Sequence, residues 1–88
     1  MLKTPFTAEY RALLEGLIRN REAKGLSQRQ LADQLGVPQS AISKIEVGER
    51  RLDMVEFIVI SRALGCRPID IGDRISRIAE HSTLTSLA

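Results

Sequence analysis

Only three residues, Gly36-Val37-Pro38, separate two short amphipathic segments in this chain of 88 residues. Glycine readily adopts the left-handed conformation that ends a helix, and proline has a fixed φ that suits the start of another. A junction this short makes the two helices cross at a sharp angle, with Ala32 small enough to lie at the crossing. The junction therefore predicts a helix-turn-helix.

Capping signals divide the remaining residues into further helices. Ser27 and Gln30 have the spacing of a capping box, and so do Asp53 and Glu56. Apolar residues recur at helical spacing after each signal, and no alternating strand pattern is visible. The chain is therefore predicted to be all-α. The first helix should run from about Ala8 to Lys24, the second should end at Gly36, the third should carry residues 39–46, the fourth should reach Leu64, and the fifth should open at Pro68.

The length allows one sizeable core, so we expect one domain over residues 8–78, with an N-terminal extension of residues 1–7 and a tail of residues 79–88. No apolar run approaches the ~18 residues of a membrane helix, and no leader sequence is recognisable. One cysteine, Cys66, permits no internal disulfide, and together with His81 it is too few ligands for a zinc cluster. A cytoplasmic protein without a metal is the expectation.

Nothing in the sequence indicates catalysis. It contains neither a phosphate-binding loop of the G-x-x-x-x-G-K-[S/T] type nor a dinucleotide-binding G-x-G-x-x-G turn. His81 stands beside Ser82 without the positioned partners that acid–base chemistry needs. We therefore expect neither an enzyme nor a cofactor.

Basic residues are concentrated before residue 53. Residues 1–52 carry nine Lys and Arg against six Asp and Glu, a net charge of +3. Residues 53–88 carry four against five, a net charge of −1. This asymmetry is compatible with a nucleic-acid-binding face in the first part of the chain and a different role for the rest.

The segments around the predicted turn also resemble a known family. Leu26-Ser27-Gln28-Arg29-Gln30-Leu31-Ala32, Leu35-Gly36-Val37, Ile42-Ser43-Lys44-Ile45-Glu46 and Gly48-Glu49-Arg50-Arg51 resemble the Cro and phage-repressor (XRE) helix-turn-helix family. The resemblance extends over about residues 10–71. It implies a compact five-helix bundle of the lambda-repressor type that binds operator DNA as a dimer and regulates transcription.

The resemblance also implies roles for particular residues. The third helix would enter the major groove, where Gln pairs well with adenine and Lys with guanine. A departure is Pro38, which stands where the family often has a capping Ser or Thr. The residues implied to contact bases are Gln39, Ser40, Ser43 and Lys44, and those implied to contact the DNA backbone are Gln28, Arg29, Arg50 and Arg51. Gln28 could also brace Gln39.

An ion pair is expected between two residues that are far apart in the sequence. Arg21 and Glu46 match a paired Arg and Glu of some family members, and Arg21 lies one turn past the apolar stripe of the first helix. They should form an ion pair.

The fifth helix adds an apolar stripe of Ile71, Ile75 and Ile78, beyond what the helix-turn-helix core requires. We expect this stripe to form a homodimer interface around residues 64–77.

Three functions remain compatible with these observations. The first is a transcriptional regulator, most simply a repressor, on a near-palindromic operator in double-stranded DNA. The second is an antitoxin-type protein that binds an operator and also a toxin. The third is an interaction module without DNA binding, against which the basic side chains of Lys44, Arg50 and Arg51 argue.

Overall fold

A computed structural model describes residues 7–81 as five helices. The all-α, five-helix prediction is confirmed. The helices are α1 (Ala8–Ala23), α2 (Gln28–Leu35), α3 (Gln39–Glu46), α4 (Met54–Ala63) and α5 (Pro68–Ile78), and a 3₁₀ turn follows at Ala79–His81. Helices α1 and α4 each end one residue earlier than predicted, because Lys24 and Leu64 are the residues that cap them. The predicted N-terminal extension, apart from its last residue, and the tail beyond His81 lie outside the described residues.

Both predicted capping boxes are formed, and a further side-chain cap precedes α1. The Thr7 hydroxyl accepts from the Tyr10 amide at 3.1 Å and begins α1. The Ser27 hydroxyl accepts from the Gln30 amide at 3.0 Å, and the Gln30 side chain accepts from the Ser27 amide at 2.8 Å. Asp53 and Glu56 make the same pair of bonds before α4. These local contacts fix where each helix begins.

Gly36 makes the turn between α2 and α3. It has φ 71° and ψ 31°, a conformation that glycine adopts without steric cost. The Val37 amide then donates to the Ala32 carbonyl at 3.0 Å, which satisfies the end of α2. Pro38, with φ −66° and ψ 149°, precedes α3 rather than occupying its first turn, and no side chain caps this helix.

The core lies where α1, α2, α3 and α4 meet, and α5 closes it by packing along α1. Gly16 permits the close approach of α1 and α5, since a Cβ atom there would lie 3.3 Å from Cγ2 of Ile71. The buried apolar side chains that form the core cluster are Leu14, Leu17, Leu31, Ala32, Ile42, Ile45, Ile60, Leu64 and Ile71.

The three isoleucines of the predicted dimer stripe lie at different depths in the protomer. Ile71 is 5% exposed and belongs to the core of the protomer, so its side chain has almost no surface to offer another molecule. Ile75 is half-buried against the same core, and only Ile78, at 42%, is exposed. Within a stripe that looked redundant in the sequence, Ile71 packs against Gly16 of α1.

Helix α4 leaves an apolar face uncovered. Ile60 and Leu64 are buried and Phe57 is half-buried. The exposed apolar side chains of α4 are Met54, Val55, Ile58 and Val59.

Candidate nucleic-acid interface

Helix α3 presents a polar face while its apolar face anchors it to the core. Ile42 and Ile45 are 2% and 7% exposed. Rotation of α3 about its axis would therefore remove both side chains from the core. Gln39, Ser40 and Lys44 are exposed. This arrangement leaves amide, hydroxyl and ammonium groups available to a ligand, held on a fixed support.

Two further residues of α3 are less accessible than the sequence suggested. Ser43 is half-buried, and so is Ala41, whose small side chain was expected to approach a thymine methyl group. Of the four predicted base-contacting residues, Gln39, Ser40 and Lys44 are therefore exposed and Ser43 is half-buried.

An ion pair between Arg21 and Glu46 joins α1 to the end of α3. Arg21 Nε donates to Glu46 Oε2 at 2.7 Å, and Arg21 Nη2 donates to Glu46 Oε1 at 3.1 Å. Arg21 Nη1 also donates to the Leu26 carbonyl at 2.7 Å, just before α2. Both charged side chains are only 11% exposed. The two residues expected to pair are thus brought together, in the two-pronged geometry that guanidinium and carboxylate groups favour.

Gln28 links this ion pair to the exposed end of α3. Its Nε2 donates to Glu46 Oε1 at 2.8 Å. Its Oε1 accepts from Nε2 of Gln39 at 3.4 Å, a long and weak bond. Gln28 was expected to brace Gln39, whereas the hydrogen bond that holds Gln28 itself to Glu46 was not predicted.

The loop between α3 and α4 contains Arg50 and Arg51, and each guanidinium has an intramolecular partner. Arg50 Nη2 lies 2.7 Å from Glu56 Oε2 in an exposed ion pair. The Arg51 guanidinium carbon lies 4.5 Å from the centroid of the Tyr10 ring, a cation–π geometry. The Tyr10 hydroxyl accepts from the Leu52 amide at 3.1 Å. Tyr10 therefore holds the loop at two points.

The ion pair between Arg50 and Glu56 shifts the pKa of both groups. Hydrogen bonding to the Arg50 guanidinium, followed by the bond from the Asp53 amide, lowers the pKa of Glu56 to about 2. The same bond raises the pKa of Arg50. Arg50 is thus engaged within the protein, while Arg29 on α2 is exposed and has no ion-pair partner among residues 7–81.

An apolar groove of about 230 Å³ lies beside this face, between α3 and α4. Among its lining residues are Val37, Ala41, Leu52, Val55 and Val59.

Within residues 7–81, no helix is both long and apolar enough to cross a membrane.

Comparison with known proteins agrees with this geometry. A helix-turn-helix family model matches residues 17–71, which include α2, α3 and α4. A solved structure of an XRE-family like protein from Pseudomonas syringae pv. tomato is 42% identical in sequence. It superimposes with a TM-score of 0.76, over 81% of this chain and 87% of that one.

Proposed function

Since this chain belongs to the XRE-type helix-turn-helix family of DNA-binding transcription regulators, we propose that it represses transcription by placing α3 in the major groove of a specific operator. The observation that carries the proposal is the display of Gln39, Ser40 and Lys44 on a helix anchored by two buried isoleucines. Repression needs only occupancy of the operator. A cytoplasmic location belongs to the same proposal, because a regulator must share a compartment with its DNA.

The proposed roles follow the chemistry of each side chain. A glutamine amide can donate to N7 and accept from N6 of adenine, and a lysine can donate to O6 and N7 of guanine. Gln39 and Lys44 would therefore specify sequence. Arg29 and Arg51 would neutralise phosphates, and Gln28 would contact a phosphate at the start of α2. Arg50 would reach a phosphate only by leaving Glu56, so we assign it a smaller share of the affinity.

Single substitutions separate specificity from affinity. The preferred duplex is first selected from a random pool at a stated salt concentration, and fluorescence anisotropy then gives affinities. Lys44→Ala should cost about 1–3 kcal/mol on the preferred duplex and relax base choice at one position. Arg51→Ala should weaken every sequence similarly and lower the salt slope by about one unit. An unchanged preferred sequence and affinity in Lys44→Ala would contradict the assignment.

We further propose that the protein binds DNA as a homodimer on a near-palindrome, with half-sites about 34–36 Å apart. The support is the exposed apolar surface of two helices outside α3: Met54 is 70%, Ile58 37%, Ile69 57% and Ile78 42% exposed. We therefore assign the proposed contact to α4 and the rim of α5 and not to Ile71, which belongs to the core. Such surface is costly to leave in water and is typical of interfaces.

Sedimentation equilibrium tests this assembly. Wild-type protein should dimerise at or below tens of micromolar, and Ile78→Asp should weaken the dimer and operator binding while leaving the helical content intact. Ile78 is chosen over Ile75 because Ile75 packs against the core, where a charge would unfold the protomer. A wild-type species that stays monomeric at these concentrations, with and without DNA, would refute the dimer.

A further inference from the structure

Glu46 is connected to the exposed α3 residue Gln39 through a single side chain, although Glu46 itself is mostly buried. Both oxygens of its carboxylate accept from Arg21, Oε2 at 2.7 Å and Oε1 at 3.1 Å. The Oε1 atom also accepts from Nε2 of Gln28 at 2.8 Å. The Oε1 atom of Gln28 in turn accepts from Nε2 of Gln39. A buried charge is thus two hydrogen bonds away from a side chain proposed to read a base.

The Glu46 carboxylate determines which end of the Gln28 amide faces Glu46 and which end faces Gln39. An ionised carboxylate only accepts hydrogen bonds, whereas an amide has one donating and one accepting end. Gln28 must therefore turn its Nε2 towards Glu46, which turns its Oε1 towards Gln39. Gln39 must then use one Nε2 hydrogen on Gln28. Its Oε1 and its second Nε2 hydrogen have no partner within residues 7–81 and are left for DNA.

The Oε1 atom and the remaining Nε2 hydrogen of Gln39 can distinguish adenine from guanine. An acceptor beside one remaining donor complements adenine, which presents an N6 donor and an N7 acceptor in the major groove. Guanine presents two acceptors, O6 and N7, and would leave the Gln39 Oε1 facing another acceptor. The direction of the amide therefore decides between two purines that are similar in shape.

We propose that Glu46 is a specificity-determining positioning residue, which makes Gln39 favour adenine by fixing the direction of the Gln28 amide. The proposal rests on the proposed function, since it requires that α3 reads bases. It assigns to the Arg21–Glu46 pair a role beyond joining α1 to α3: the pair sets which end of an amide is offered to DNA.

Glu46→Gln should reverse the orientation of the Gln28 and Gln39 side-chain amides. The new amide keeps its one oxygen for the shorter bond, from Arg21 Nε, so its NH₂ takes the place of Oε1, gives up the 3.1 Å bond from Arg21 Nη2 and faces Gln28. Gln28 turns over to present Oε1 to residue 46 and Nε2 to Gln39. Gln39 then uses Oε1 on Gln28 and offers its Nε2 hydrogens to DNA. The preferred base should change from adenine to one that presents acceptors, guanine or thymine.

A compensating variant provides the rescue. In Gln28→Glu combined with Glu46→Gln, the carboxylate at 28 accepts from the NH₂ at 46 with one oxygen and from Gln39 Nε2 with the other. Gln39 regains its wild-type direction, so adenine preference should return. Overall affinity should fall, because a carboxylate now lies close to DNA phosphates. A purely structural role of Glu46 predicts no such recovery of preference.

Selection of duplexes from a random pool reads out preference separately from stability. Wild type should favour adenine at one position of each half-site by about fivefold or more. Glu46→Gln should lose that preference, and the double variant should restore it. The matched control is Asn20→Ala, which removes a half-buried 2.7 Å bond to the Gly16 carbonyl within α1 and should lower stability without changing base choice.

The outcomes are distinct. If wild type enriches no sequence, the proposed function fails and this inference with it. If wild type enriches adenine and Glu46→Gln retains it, the inference alone is overturned. Should Glu46→Gln fail to fold, Gln28→Met removes the connection but leaves the ion pair. Loss of the adenine preference in that variant supports the inference, and retention overturns it.

Discussion

Replacing Arg21 by methionine should cost far more stability than the same change at Arg50, although both arginines form an ion pair with a shortest N–O distance of 2.7 Å. The Arg21 pair has two side chains that are each 11% exposed. The Arg50 pair has side chains that are 46% and 34% exposed. Water therefore solvates the charges of the second pair whether or not the pair forms, and exposed pairs of this kind contribute little.

The magnitude follows from what Arg21→Met leaves behind. The Glu46 carboxylate would keep only Gln28 as a partner, and the Leu26 carbonyl would lose a 2.7 Å bond. Breaking a fully buried pair costs about 3–5 kcal/mol, and the residual exposure here reduces this to about 2–4 kcal/mol. An 88-residue domain has a free energy of unfolding of roughly 4–13 kcal/mol. At the middle of both ranges, about 3 of about 9 kcal/mol, the change removes about a third of the total.

Urea unfolding followed by far-ultraviolet circular dichroism measures the difference. At a slope of about 1 kcal/mol per molar urea, the midpoint of Arg21→Met should fall by about 2–4 M. Arg50→Met should shift it much less. Adding Glu46→Leu to Arg21→Met should recover part of the loss, because it removes the stranded charge. Equal losses in the two single variants would refute the reasoning.

Three further changes test other parts of the structure. Ile71→Ala should lower the free energy of unfolding by about 2–4 kcal/mol and leave the dimer affinity of the folded protein unchanged; weakened association without lost stability would contradict the core assignment. The pKa of Glu56 is lowered to about 2, so its contribution to stability is present above its ordinary pKa of 4.5 and is lost as the pH falls towards 2. Glu56→Gln should flatten the dependence of unfolding on pH in this window, and an unaltered curve would argue against the Arg50 contact. Tyr10→Leu should weaken binding to all duplexes more than Tyr10→Phe, which keeps the ring under Arg51; equal affinities in anisotropy titrations would exclude a role for the stack.

The sequence predicts well what depends on neighbouring residues. Both capping boxes join residues three positions apart, and the turn at Gly36 depends on one backbone conformation. Contacts of this kind recur wherever the same residues do, so helix order and the helix-turn-helix could be predicted.

Contacts that depend on how helices pack could not be predicted in the same way. Arg50 and Glu56 are six residues apart across a loop, a separation that no regular element brings together. Arg51 and Tyr10 lie on segments that meet only in the fold. Ile71 looked superfluous because nothing in the sequence shows that Gly16 leaves room for it. The Arg21 and Glu46 contact was expected only through resemblance, since 25 residues separate them.

Titration of isotopically labelled protein with its selected duplex, followed by backbone amide NMR, tests the central claim most directly. The largest shift changes should fall at the start of α2, along α3 around Gln39, Ser40 and Lys44, and in the loop at Arg51. A scrambled duplex should perturb the loop and the start of α2 but leave α3 comparatively unchanged, because phosphates are common to all sequences. Changes confined to α4 and α5, or the same α3 response to both duplexes, would contradict base reading by this helix.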